Sequence, residues 1–265
     1  MSSSPPIPSA RRCLEAIDTL VLAGGLGTRL GPVLGDVPKV LAPIAGRPFL
    51  AYLLEWLKSF GARRLVFALG HGAKPVMDYL YAIPSTSALI VMVVEPEPLG
   101  TAGAIRFARG ELRSDPVLVV NGDTLVDGDL YALVRHHERA GAGATVLCAH
   151  VDDGSRYGRV VLDREGRIER FVEKDASQRG AALINAGVQL MSASFLDAIA
   201  SGQAASLERD VFEKLPAGSL AALPGHFNFI DIGTPESYAS AASALQAWRM
   251  AQRIASDEPR IESSG

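Results

Sequence analysis

A glycine-rich run, Leu22-Ala-Gly-Gly-Leu-Gly-Thr-Arg-Leu30, follows the apolar stretch Thr19 to Ala23, and ten positions separate its Arg29 from Lys39 in Val37-Pro-Lys-Val40. Glycines such as Gly24, Gly25 and Gly27 let a backbone come close to an anion and turn its N–H groups onto phosphate oxygens. Spacing excludes two common phosphate loops. A dinucleotide fingerprint needs a third glycine where Leu30 stands, and the Gly-Lys-Ser/Thr triplet of a Walker loop occurs nowhere in the chain. Lys39 stands out because the 26 basic residues comprise 21 arginines and only five lysines: Lys39, Lys58, Lys74, Lys174 and Lys214.

Gly-x-Gly-Thr-Arg-Leu-x-Pro followed by Pro-Lys resembles the signature of the sugar-phosphate nucleotidyltransferases, with Val33-Leu34 where many members have Leu-Thr. The resemblance runs over about residues 18 to 245. It implies a nucleotide held by Leu22, Ala23, the three glycines, Thr28, Arg29 and Lys39. Glu95-Pro-Glu-Pro-Leu-Gly-Thr-Ala-Gly-Ala104 resembles the family's base-recognition loop, which adds Glu95, Gly100 and Thr101. Asn121-Gly-Asp-Thr124 resembles the metal-aspartate motif, with Asn121 and Gly122 at the nucleotide and Asp123 on the metal. Tyr157-Gly158, Glu173-Lys174 and Asn185-Ala-Gly187 resemble its sugar-phosphate contacts, and Asp231 its second metal aspartate. The runs Asp153-Gly-Ser-Arg-Tyr-Gly, Ser206-Leu-Glu-Arg-Asp-Val-Phe and Phe229-Ile-Asp-Ile-Gly-Thr-Pro are most similar to guanylyltransferases of D-glycero-α-D-manno-heptose 1-phosphate, which make GDP-heptose for bacterial capsule or lipopolysaccharide. Mannose-1-phosphate guanylyltransferases are the runner-up, since the two sugars differ by one exocyclic carbon bearing a hydroxyl.

That chemistry has physical requirements of its own. A sugar 1-phosphate attacking the α-phosphate of a nucleoside triphosphate brings together anions carrying about six charges, so positive charge must converge there. Arg29 offers a forked donor set to the triphosphate, Lys39 a compact charge at the α-phosphoryl, and Lys174 a hold on the incoming phosphate. Asp123 and Asp231 would bind Mg²⁺, which uses one or two carboxylates plus substrate oxygens; the catalytic set is Arg29, Lys39 and Asp123. An ionised phosphate needs no general base. Plainer readings stand beside these: Asn121-Gly122 as a hairpin turn, Asp231 as a helix cap although Thr234 before Pro235 is better placed, and Glu173-Lys174 as an exposed pair. A non-catalytic nucleotide-sugar sensor on the same fold would be expected to lose the charged positions, all of which are present.

Base choice follows from donor pattern. Guanine presents N1–H and N2–H₂ donors on one edge, which a carboxylate accepts. Glu95, or alternatively Glu97, is that reader, so the expected partners are GTP and a sugar 1-phosphate.

Apolar runs alternating with amphipathic segments predict the elements that carry these groups. Strands are expected at Thr19–Ala23, Leu65–Leu69, Leu89–Val94, Val117–Val120 and Thr145–His150, with helices at Phe49–Phe60, Lys74–Tyr81, Thr101–Arg109 and Leu130–Ala140. The implied fold is α/β: a Rossmann-like, mostly parallel mixed sheet flanked by helices. After His150 short strands broken by turns predict a mixed second half, then helices at Ala193–Ile199, Leu207–Leu215 and Pro235 to about Ile254. Residues 1–16 read as a disordered tail, 17–255 as one domain (17–125 mainly nucleotide-binding, 126–255 mainly sugar-binding) and 256–265 as a flexible tail.

The 265 residues are 48% hydrophobic and 21% charged with net charge −3, a globular composition without the positive field of a nucleic-acid binder. No nucleic acid and no membrane are expected as partners. No basic, apolar leader opens the chain, so the expected location is the cytoplasm. Cys13 and Cys148 read as free thiols, His136-His137 as a solvated helix face, and a homo-oligomer is left open.

Overall fold

The computed structural model describes residues 12–83, 88–172 and 179–257, with side chains to residue 248. The chain enters through β1 (Thr19–Ala23), then a single turn α1 (Gly31–Leu34), the hairpin β2 (Pro43–Ile44) and β3 (Arg47–Pro48), α2 (Phe49–Ser59), β4 (Arg64–Leu69), α3 (Ala73–Ala82), β5 (Leu89–Val94), α4 (Gly100–Ala108) and β6 (Val117–Asn121). It continues with β7 (Thr124–Val126), α5 (Leu130–Ala140), β8 (Ala144–Val151), β9 (Arg159–Leu162), β10 (Arg167–Val172), β11 (Ala182–Met191), α6 (Ala193–Ser201), β12 (Leu220–Gly225), β13 (Phe229–Asp231) and α7 (Pro235–Asp257).

The strands are apolar on both faces because helices cover both faces of the sheet. Val21, Phe67, Leu118 and Val120 pack with the α2 face built from Phe49, Leu53, Trp56 and Leu57. Their neighbours Leu20, Val66 and Val119 point the other way, onto Ala104, Ile105 and Ala108 of α4 and Leu196 of α6. Among the described residues nine strands form one sheet in the order β5-β4-β1-β6-β11-β8-β12-β10-β9. The first four are parallel, β12 runs parallel to β8, and β11 runs antiparallel between β6 and β8.

Order reverses at β1. From it the chain moves outward to β4 and β5, then returns to β6 on the other side, and such a switch opens a crevice beyond the carboxyl ends of the two strands. A two-stranded ribbon, β7 with β13, closes one side of that crevice and pairs Thr124 with Asp231. Strand β11 is bulged: Asn185 lies opposite Cys148 and Gln189 opposite Val146, so the bulge carries three residues against one. At its centre Gly187 has φ +71°, and a Cβ there would sit 2.7 Å from Asn121 Nδ2. The bulge therefore presses backbone onto the crevice and aims Asn185 at it.

Several expectations change. Residues 12–16 belong to the fold, since Leu14 is fully buried and its N–H donates to the Phe60 carbonyl; residues 1–11 and 258–265 lie outside the described residues. Leu207–Leu215 is a π turn (Leu207–Val211) followed by a 3₁₀ turn (Phe212–Lys214). The reason is side-chain competition for backbone donors: Asp210 Oδ2 accepts from the N–H groups of Ala205 and Ser206, and Ser206 Oγ from that of Arg209. His137 is buried, with Nδ1 2.8 Å from Thr145 Oγ1, because β8 packs against that face of α5. Cys13 and Cys148 are free, and burial raises the pKa of both thiols. No helix among the described residues is long and apolar enough to cross a membrane.

Candidate active site

Beyond the ends of β1 and β6 lies a cavity of about 470 Å³. Its walls include Leu22, Ala23, Gly24, Gly25, Gly27, Thr28 and Arg29 from the loop after β1, Lys39 from the 3₁₀ turn at Lys39–Leu41, and Asn121 and Asp123 from the end of β6. Glu95, just after β5, and Gly100 and Thr101, at the start of α4, also line it. One residue expected at the nucleotide is not on this wall. Gly122 is buried, its N–H donates to the Leu22 carbonyl, and a Cβ there would lie 2.9 Å from that oxygen, so it is a glycine to let β6 turn against β1.

Glu95 is 7% exposed, and its Oε2 accepts from the Leu99 N–H at 3.2 Å. Its Oε1 is buried with no hydrogen-bond partner among the described residues. Burial raises its pKa, a shift the Leu99 N–H opposes. A half-satisfied buried carboxylate at a cavity wall is costly unless a ligand supplies donors. Glu97, the alternative reader, is not among the residues on the cavity wall.

A second cavity, about 200 Å³, adjoins the first and shares Arg29, Lys39, Asn121 and Asp123 with it. Tyr157, Gly158, Asn185 and Asp231, all expected at the sugar phosphate or the metal, line it. Glu173 and Lys174 lie outside the described residues. Lys39 Nζ stands 2.6 Å from Asp123 Oδ2, which places the opposed charges at the boundary between the cavities. Arg29 is exposed and makes no hydrogen bond or ion pair among the described residues.

Asp231 divides its two oxygens. Oδ1 accepts from the Gly233 N–H and the Ser237 hydroxyl, fixing the turn into α7, while Thr234 Oγ1 accepts from the Ser237 N–H as the helix cap. Oδ2 accepts from Arg156 Nη2 at 3.1 Å and from the Tyr157 hydroxyl. Burial and that carboxylate push the Tyr157 phenol far up, so it stays a donor. Asp123 is tied to the same place because its carbonyl accepts from the Ile232 N–H. Asp123 and Asp231 thus face one cavity, each beside a cation, Lys39 or Arg156. No group of three or more His, Cys, Asp or Glu among the described residues forms a metal cage. The donor set fits an ion that completes its shell with substrate oxygens and water, as Mg²⁺ does.

Sequence reasoning passed over Arg156, Thr124 and Glu208, all on the second cavity's wall. All three sit inside runs carrying the family resemblance, but nothing local marks them. Thr101, expected at the nucleotide, also accepts the Leu207 N–H at 2.8 Å, which joins the loop after β5 to the π turn.

The sequence pattern of the family described as Nucleotidyl transferase matches residues 18–247. The chain belongs to that family. Mannose-1-phosphate guanylyltransferase of Mycobacterium tuberculosis is 36% identical over 234 residues, covering 86% of this chain and 64% of its own length. Mannose-1-phosphate guanylyltransferase 1 of Arabidopsis thaliana is 34% identical over 227 residues, 83% of this chain and 62% of its own. This family member therefore spans about 62–64% of those relatives. The crystal structure of HddC from Yersinia pseudotuberculosis matches with a TM-score of 0.78 at 33% identity, covering 86% of this chain and 99% of that one. The same protein complexed with GMP-PN gives a TM-score of 0.77.

Proposed function

We propose that the protein is a sugar-1-phosphate guanylyltransferase that joins GTP to a manno-configured sugar 1-phosphate, giving a GDP-sugar and pyrophosphate. The observation that carries this reading is the pair of adjoining cavities that share Arg29, Lys39 and Asp123: one large enough for a nucleotide and with Glu95 on its wall, the other lined by Tyr157, Gly158 and Asn185. An oxygen of the sugar phosphate attacks the α-phosphorus, a P–O bond forms, and the bond to pyrophosphate breaks on the opposite side. Arg29 holds the triphosphate, and Lys39 meets the charge gathering on the α-phosphoryl oxygens. Asp123 and Asp231 are the residues that would hold Mg²⁺, which supplies charge neutralisation when bound. The Glu95 carboxylate, whose Oε1 has no hydrogen-bond partner among the described residues, accepts from guanine N1–H and N2–H₂.

For the sugar we infer D-glycero-α-D-manno-heptose 1-phosphate from the sequence runs around Tyr157, Glu208 and Asp231. Mannose 1-phosphate is the second reading, favoured by the names of the curated relatives. Pyrophosphate release over a grid of four nucleoside triphosphates and several sugar 1-phosphates, heptose and mannose among them, tests both. Turnover confined to GTP with a manno sugar supports the reading, and no turnover with any pair overturns it.

A further inference from the structure

Glu208 has no role in the reaction described above, yet it stands at the junction of two cavities. It lines the 200 Å³ cavity beside Lys39 and Asp123, and a further one of about 370 Å³ that it shares with Arg29 and Gly158. It reaches that junction because of the π turn, which carries it between the capped N–H groups at Ala205 and Ser206 and the buried Phe212. Among the described residues it makes no ion pair, which is unusual for a partly buried carboxylate next to a site rich in cations.

The side chain is nonetheless held. Asn185 Nδ2 donates to Glu208 Oε1 at 2.8 Å. The amide of Asn185 cannot be turned round, because its Oδ1 accepts from the Gly187 N–H at 2.9 Å and from Gln189 Nε2 at 3.0 Å, and Gln189 is 1% exposed. Both acceptor sites of Asn185 are thereby filled. The bulge in β11 thus serves as a bracket for Glu208, and Asn185 is a positioning residue more than a contact. Glu208 Oε2 is left over Gly158, 4.0 Å from where a Cβ on that residue would be, and Gly158 has no side chain to fill the space.

Charge decides what such an oxygen can meet. A carboxylate accepts and never donates, and it repels phosphate. The phosphate of a sugar 1-phosphate therefore belongs at the Arg29 and Lys39 end, with the ring directed away toward Glu208. A pair of ring hydroxyls is a donor set that suits it.

We propose that Glu208, oriented by Asn185 and Gln189, accepts hydrogen bonds from ring hydroxyls of the sugar 1-phosphate and so sets sugar specificity. The proposal rests on the reading of the protein as a sugar-1-phosphate guanylyltransferase. The test is steady-state kinetics of wild type, Glu208→Ala and Glu208→Gln with the best sugar 1-phosphate and its monodeoxy analogues, with Mg²⁺ and GTP present. Loss of a charge-assisted hydrogen bond predicts a KM for the sugar phosphate about 10- to 100-fold higher in Glu208→Ala, with the KM for GTP within about twofold. Wild type should discriminate strongly against the analogue lacking the bonded hydroxyl, and Glu208→Ala should accept that analogue and the parent alike. Asn185→Ala should raise the same KM by a smaller factor. If Glu208→Ala does not fold, the isosteric Glu208→Gln must still show weakened discrimination at that one hydroxyl. A uniform fall in kcat/KM for the parent and every analogue, or an equal rise in both KM values, would overturn the proposal alone. Absence of wild-type turnover with every sugar phosphate would instead overturn the functional reading on which it rests.

Discussion

Replacing Glu95 by Gln changes one oxygen to an amide nitrogen, and the structure dictates which. The Leu99 N–H must keep an acceptor, so the remaining oxygen stays on it and the NH₂ turns to the position now held by the unpartnered Oε1. That places two donor groups, the amide and the guanine edge, against each other. A lost hydrogen bond to a charged group is worth roughly 1.5–3 kcal/mol, which corresponds to a fall of about 10- to 150-fold in kcat/KM for GTP. UTP and CTP, which do not present that donor pair, should change by no more than about threefold. Wild-type preference should also weaken in acid, with a definite sign. Burial raises the Glu95 pKa, so the carboxyl takes up its proton at a higher pH than an exposed carboxylate, and protonation removes the acceptor guanine needs. The acid limb of the GTP profile should therefore be flattened in Glu95→Gln. Coupled pyrophosphate release with each triphosphate across pH 4.5–8 measures both effects. A variant that keeps its preference for GTP would refute the assignment and shift base reading to the backbone of the loop.

Asp123→Asn should lower turnover by about 100-fold or more and raise the Mg²⁺ needed for half-maximal rate, since it halves the carboxylate set opposite Asp231; an unchanged Mg²⁺ titration would remove it from the metal site. Gly187→Ala should destabilise the fold by about 1–3 kcal/mol, several degrees of melting temperature, because its Cβ would meet Asn121 Nδ2 at 2.7 Å at positive φ. Gly141→Ala, also at positive φ but with nothing within 4 Å, should cost only about 1 kcal/mol. Burial lowers the His137 pKa below its ordinary 6.5, so the unfolded chain binds the proton more readily and stability is lost as pH falls below that value. Melting temperatures followed from pH 7 to 5 should drop, and His137→Gln should flatten the slope; identical slopes would show that the ring does not control it.

Much of this protein is readable where the information is local. Helix α5 lies at its expected limits because its amphipathic pattern falls within one segment, which the structure closes with the Asp129 cap on the Tyr131 N–H and Gly141 just beyond. The glycine-rich loop and the aspartates at 123 and 231 line the two adjoining cavities, and what marked them together in the sequence was the resemblance of their motifs to the nucleotidyltransferases. Leu14 and His137 were misread because their burial comes from other elements, and the π turn because side-chain caps within 205–210 interrupt a pattern that otherwise reads as helix. Composition made residues 12–16 look unstructured, but the Phe60 carbonyl supplies their partner.

Sequence alone thus determined an α/β sheet, a glycine-rich loop after its first strand, and a set of charged residues around it. Only tertiary structure decided how those charges pair and which residues share a wall. Lys39 meets Asp123 across 84 positions, Tyr157 meets Asp231 across 74, and the bulge that holds Asn185 also aims Glu208, 23 positions away. These contacts are set by strand order and register. No short-range pattern encodes them, because they form only after two halves of one sheet have been packed around the same crevice.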